Sequence, residues 1–141
     1  MYCDEKMLLD IRLNTLNKYV DKFVIVESNF YHNGKVKNFT FDINDYLSFK
    51  EKIIYIKISE KPLEIKKNYN NNDSKSVDIF NSLLLDNFQR NKILLGLADA
   101  DADDFVIISD IDEIPNLSHI KFELISKKFV FFKQDFFYYK F

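Results

Sequence analysis

Leu9, Leu13, Leu16 and Val20 recur at spacings of four, three and four, which places them on one stripe of a helix. That helix is predicted to start at Asp4, whose carboxylate suits an N-cap. Phe23-Val24-Ile25-Val26 follows as a short apolar run without alternation, the pattern of a parallel strand covered on both faces, and it ends at Glu27-Ser28-Asn29. Residues 30–44 carry Gly34 near their centre and alternate Lys35, Lys37, Phe39 and Phe41, which predicts a long loop with an extended piece. Residues 53–58 are a second strand, with Pro62 closing the region after it. Residues 68–76 are polar enough to be a loop. Val77, Phe80, Leu84, Phe88, Leu95 and Ala98 then trace a helical face of about six turns, interrupted at Asn91, with Gln89 and Arg90 on its flank. Phe105-Val106-Ile107-Ile108 is predicted as a third buried strand, delivered directly into Ser109-Asp110-Ile111-Asp112-Glu113-Ile114-Pro115. Residues 129–132 and 136–141 read as two further strands.

Strands alternating with helices predict an α/β fold with a mostly parallel sheet in a single domain, residues 1–141. Ligands of such sheets bind beyond the carboxyl ends of the strands, where Glu27 and Asp110 both fall. A formal net charge of −2, with acidic and basic residues interspersed, speaks against a nucleic acid or an anionic membrane as partner. Cys3 is the only cysteine, which excludes an intrachain disulfide and a cysteine-based zinc site. No apolar run approaches the roughly 20 residues of a membrane span. The charged start Asp4-Glu5-Lys6 is unlike a signal peptide, so a cytoplasmic chain without a transmembrane segment is expected.

Two carboxylates one residue apart, just past a buried strand, can point into one crevice while Ile111 between them anchors the turn in apolar packing. Hard oxygen ligands of this kind suit Mg²⁺ or Mn²⁺, which keep positions open for phosphate oxygens. A nucleotide diphosphate is the corresponding partner. When a sugar leaves such a donor, negative charge builds on the diphosphate, and a divalent ion bridging the phosphates stabilises it. Taken alone, the triplet is better read as a solvated turn before Pro115. His32 and His119 lack a neighbour at ligand spacing. Asp99-Ala100-Asp101-Ala102-Asp103-Asp104 starts like a calcium loop but has Asp104 where the turn needs glycine. A metal-dependent phosphohydrolase using the same acids would need a nucleophile or lysine motif that the chain does not display.

Several separated segments change this balance. Asp4-Glu5, Leu8 to Asn14 and Val20 to Ser28 together resemble the start of glycosyltransferase family 17, which includes the β-1,4-mannosyl-glycoprotein β-1,4-N-acetylglucosaminyltransferases. Gly34-Lys35 with Lys37, then Gln89-Arg90-Asn91, then Ser109 to Pro115 follow in that family's order and approximate spacing. The resemblance covers most of the chain. It implies a GT-A-like, Rossmann-like nucleotide-sugar domain, a UDP-sugar donor with UDP-N-acetylglucosamine in characterised relatives, a saccharide acceptor, inversion at the anomeric carbon, and Mn²⁺ or Mg²⁺. By the same resemblance Asp112 coordinates the metal, and Asp110 reaches the ribose or the metal through water. Glu27, Ser28 and Arg90 line the donor crevice, and Lys35 meets phosphate. The alternative for Arg90 is a pair with Asp86 one helical turn away, and for Lys35 a solvated loop charge. Against the family pattern the domain is expected to be incomplete at both ends. Only Met1-Tyr2-Cys3 stands where relatives carry a strand, and the catalytic base is unknown and expected beyond Phe141. Exposed strand edges then predict self-association. The alternative to a transferase is a degenerate fragment that binds nucleotide sugar without chemistry.

Overall fold

The computed structural model describes residues 2–65 and 74–133. Helix α1 (Lys6–Leu16) buries Leu9, Leu13 and Leu16 along the stripe that their spacing predicts. Strands β1 (Phe23–Ser28) and β2 (Ile53–Ile58) pair in parallel, with Phe23 opposite Ile53 and Ser28 opposite Ile58. Helix α2 (Ser74–Asn91) runs on without a break into a 3-10 segment, Lys92–Leu97, and what these two bury is Leu85, Gln89 and Gly96 rather than the predicted face, of which Phe80, Leu95 and Ala98 are exposed. Two further 3-10 segments, Ile43–Phe49 and Phe122–Leu124, have no counterpart in the hydrophobic periodicity. Asp42 starts the first of them by accepting a hydrogen bond from the Asn44 amide at 2.9 Å.

β1 is covered on both faces, as its unbroken apolar run predicts. Phe23 and Ile25 join Leu9, Leu13 and Leu16 of α1 in a core completed by Phe41, Tyr46, Phe49 and Leu117. The ring of Phe41 stacks on Tyr46 with centroids 5.5 Å apart and leans on Tyr55 at 4.5 Å, linking the 3-10 segment to β2. On the opposite face Val24 meets Gly96, and Gln89 donates from α2 to the Val26 carbonyl at 3.1 Å. Lys52 donates to the Asn17 and Val20 carbonyls, both at 2.7 Å, and so sets its charge at the negative end of α1.

The contact at Gly96 leaves no room for a side chain. A Cβ there would lie 2.4 Å from Val24 Cγ1 and 2.6 Å from Cγ2. Gly96→Ala is therefore expected to cost about 1–3 kcal/mol by overpacking, read from urea unfolding. Adding Val24→Ala should recover part of the loss, and strictly additive losses would contradict this origin.

Several expectations are corrected. Asp4 is not the N-cap: its φ of 82° puts it in the left-handed region, where aspartate is among the better tolerated residues. This bend accompanies the pairing of the Tyr2 amide with the Val26 carbonyl at 3.0 Å, and α1 begins only at Lys6. Glu5 stands at the N-cap position without a capping hydrogen bond and accepts instead from the Cys3 amide at 2.7 Å. Residues 105–108 form no strand, and Phe105, Val106 and Ile108 are exposed while Ile107 packs on the core. A strand exists only through a backbone partner. The edge of β1 away from β2 is met by an isolated parallel bridge from Tyr2 to Glu27 and by the Gln89 side chain. Residues 129–132 are likewise unpaired, with Phe131 93% exposed. Among the described residues the sheet therefore has two strands, and the fold is α/β with a small parallel sheet. Of the predicted loop at 68–76, residues 74–76 instead form the first turn of α2, while 68–73 and the predicted strand at 136–141 lie outside the described residues. No helix among the described residues is long and apolar enough to cross a membrane.

Candidate functional site

The acidic turn takes its shape from three directions. Apolar anchoring comes from Ile111 and Ile114, which pack on the core, and from Leu117, which is buried within it. Within the turn, the Asp110 amide donates to Glu113 Oε2 at 2.9 Å, the Glu113 amide to the Asp110 carbonyl at 3.1 Å, and the Ile114 amide to the Asp112 carbonyl at 3.2 Å. From α1, Arg12 Nη1 donates to the carbonyls of Asp110 at 2.8 Å and Glu113 at 2.9 Å, while Nη2 donates to Ser109 Oγ at 2.6 Å.

Arg90, near the end of α2, reaches the carboxylate that Arg12 leaves alone. Its Nη2 lies 3.0 Å from Asp110 Oδ1 and 3.3 Å from Oδ2, and its Nε donates to Asp86 at 3.0 Å. Arg90 thus makes the pair with Asp86 one turn away that is the alternative to a binding role, and it also reaches the acidic turn. Asp86 first, and Asp110 with it, raises the Arg90 pKa above the ordinary guanidinium value. Asp112 is exposed, and among the described residues its carboxylate accepts no hydrogen bond.

The other predicted site residues lie elsewhere. Glu27 is 0% exposed and accepts from Lys37 Nζ at 2.7 Å, the Thr40 amide at 2.8 Å, Thr40 Oγ1 at 3.0 Å, the Phe41 amide at 3.2 Å and the Tyr55 hydroxyl at 2.6 Å. Burial by itself raises the Glu27 pKa, but the hydrogen bonds from Lys37, Tyr55, Thr40 and Phe41 outweigh it and hold the carboxyl below its ordinary range. The carboxylate is turned into the 37–41 loop and is fully engaged there. Ser28 is also buried, its Oγ accepting from the Phe30 amide at 3.1 Å. Lys35 is exposed on the turn that links Phe30 to Val36. Gly34 gives this turn its left-handed residue, φ 77°, and its carbonyl accepts from Lys61 at 2.8 Å.

Two open grooves of about 390 Å³ each mark the surface, one by Lys57, Glu60 and Lys92 at the end of β2, the other by Tyr19 and Pro115. Neither is lined by Asp110 or Asp112, which stand on the surface between elements. Among the described residues no three histidine, cysteine or acidic side chains cluster into a metal site of their own. The turn offers one uncommitted carboxylate, Asp112, and one shared with Arg90, Asp110. That donor set fits a hard divalent ion that keeps waters and shares its remaining positions with phosphate oxygens.

Arg12, Lys37, Thr40 and Tyr55 carry the geometry of these two clusters; Arg12 and Lys37 fall in segments that resemble the family, but none of the four is among the predicted site residues. Arg12 was detectable in principle, since it lies three residues after Leu9 and four before Leu16, on the face that α1 turns inward.

Fold and site together define an α/β protein with a surface acidic turn braced by two arginines. The family model of glycosyltransferase family 17 matches residues 1–130, so the chain belongs to that family, a family of glycosyltransferases. No curated protein and no solved structure gives a match.

Proposed function

We propose that the chain carries the donor half of a GT-A-like transferase that moves N-acetylglucosamine, or a similar sugar, with inversion from a UDP-sugar to a saccharide acceptor. The observation that carries this reading is the acidic turn, held by Arg12 through its main chain and by Arg90 through Asp110 while Asp112 stays exposed. Asp112, with Asp110 beside it, would hold Mn²⁺ or Mg²⁺. When bound, such an ion stabilises the negative charge of the leaving diphosphate as a Lewis acid. Arg90 keeps its Nη1 outside the pairs with Asp86 and Asp110, and so has donors left for the same diphosphate. As the acceptor oxygen bonds to the anomeric carbon, the bond from that carbon to phosphate oxygen breaks and the diphosphate leaves with the electron pair. The acceptor proton goes to a general base. Glu27 and Ser28 shape the donor side by holding residues 28–41, and Lys35 is the exposed cation on that edge.

A second reading, nucleotide-sugar binding without transfer, is favoured by Arg90 already covering the Asp110 carboxylate. Incubation with UDP-N-acetylglucosamine and Mn²⁺, followed by measurement of released UDP, separates the two. Metal-dependent UDP release is expected. Metal-dependent binding without release would establish the second reading, and the absence of both would sink the donor-site assignment.

A further inference from the structure

We infer that Arg12 is the positioning residue of the acidic turn: from α1 it fixes the main chain from Ser109 to Glu113, and thereby the direction in which Asp112 is presented. The role of Asp112 in this statement rests on the donor-site reading above; the anchoring of the turn does not.

The acceptors of Arg12 are the carbonyls of Asp110 and Glu113 and the hydroxyl of Ser109. The first two close the turn from both ends, because the Glu113 amide already donates back to the Asp110 carbonyl at 3.1 Å. One guanidinium thus ties both ends of the turn and the residue before it to a helix whose Leu9, Leu13 and Leu16 are buried in the core. The planar fork suits this task, since two nitrogens in fixed relation set direction as well as distance. A lysine ammonium is a point donor on a flexible stem and cannot hold such a divergent set in one orientation.

Arg12 forms no hydrogen bond to any carboxylate of the turn. Its positive charge lies near Asp110, Asp112 and Glu113 and offsets their mutual repulsion without occupying a carboxylate oxygen. The two arginines therefore differ in kind. Arg90 takes hold of the Asp110 carboxylate and would compete with a ligand for it, whereas Arg12 acts through two main-chain carbonyls and the Ser109 hydroxyl.

The test compares Arg12→Lys and Arg12→Met with the parent chain by three measurements. UDP affinity is taken with and without Mn²⁺, amide hydrogen exchange is followed at Glu113 and Ile114, and the thermal midpoint is recorded. Both variants are expected to lose at least tenfold in UDP affinity in Mn²⁺ but not in metal-free buffer. Protection at Glu113 and Ile114 should fall while that of β1 amides stays. Full recovery of Mn²⁺-dependent affinity in Arg12→Lys would show that charge alone matters and would overturn the proposal. So would unchanged exchange at Glu113 and Ile114 in both variants. A uniform loss of protection across β1 and the turn would assign Arg12 to general folding and overturn it equally. If the parent chain binds UDP without regard to metal, the metal reading fails, and the exchange data by themselves decide whether Arg12 anchors the turn.

Discussion

Asp112→Asn is expected to remove the metal dependence of UDP binding while leaving stability within about 0.5 kcal/mol of the parent. Its carboxylate is exposed and accepts no hydrogen bond among the described residues, so the substitution breaks nothing that holds the fold. It does remove the one carboxylate of the turn that accepts no hydrogen bond among the described residues, and an amide oxygen is a much poorer partner for a hard divalent ion. The loss of UDP affinity in Mn²⁺ should be on the order of ten- to a hundredfold, or about 1.4–2.8 kcal/mol. Asp110→Asn should fall less far. Arg90 now pairs with that carboxylate, and its release offers a guanidinium to the phosphates in partial compensation. Calorimetry of UDP with and without Mn²⁺ measures both. Equal affinities for the parent chain in the two buffers, or an Asp112→Asn variant that keeps the metal effect, would end the assignment of this turn to metal.

Glu27→Ala should be the most destabilising single change in the chain, at about 3–5 kcal/mol. The reason is what it would leave behind. Lys37, whose side chain is 5% exposed, would be a buried cation without its counterion, and the Thr40 amide, Phe41 amide and Tyr55 hydroxyl would lose their acceptor together. Those donors tie the 37–41 loop and β2 to β1, so the loss is cooperative rather than local. Glu27→Gln keeps the shape and some acceptor capacity and should cost less. The pH dependence follows from the same contacts. The folded carboxyl titrates below its unfolded value of about 4.3, so its contribution to stability is complete above that value and is lost as pH falls through the folded pKa. Urea unfolding from pH 7 into the acid range should therefore show a steeper loss of stability for the parent than for Glu27→Gln. Parallel curves would mean that Glu27 is not ionised in the folded chain.

How far the chain is legible differs from element to element. The stripe of Leu9, Leu13 and Leu16 and the unbroken runs of β1 and β2 are local patterns, written within a dozen residues by the need to bury one face or both. Residues 105–108 have the same apolar, β-branched character, yet form no strand. Side-chain composition expresses a demand for burial, whereas pairing depends on which backbone stands alongside, and at β1 that place is met by Tyr2 and Gln89. The 3-10 segment Ile43–Phe49 was invisible for a related reason, since its Tyr46 and Phe49 are buried by the core they meet rather than by any helical period.

The site divides along the same line. Asp110 and Asp112 stand out as a motif because the spacing of their carboxylates is itself local, and the order of the surrounding segments already resembled the family to which the chain belongs. Nothing local joins Arg12 to that turn: its acceptors are 97 to 101 residues away. Nor does anything local distinguish Glu27 as a ligand contact from Glu27 as a buried anchor, because the answer lies with Lys37, Thr40, Phe41 and Tyr55. By itself the sequence determined the buried stripe of α1, the runs of β1 and β2 and the acidic turn as a motif, since each depends on residues close together along the chain, whereas on α2 the buried residues are Leu85 and Gln89 and not the predicted Val77, Phe80, Leu84 and Phe88. Which backbone pairs, which carboxylate is consumed by the fold and which stays exposed were decided only by the tertiary structure, because hydrogen bonds and ion pairs are made between groups that meet in space.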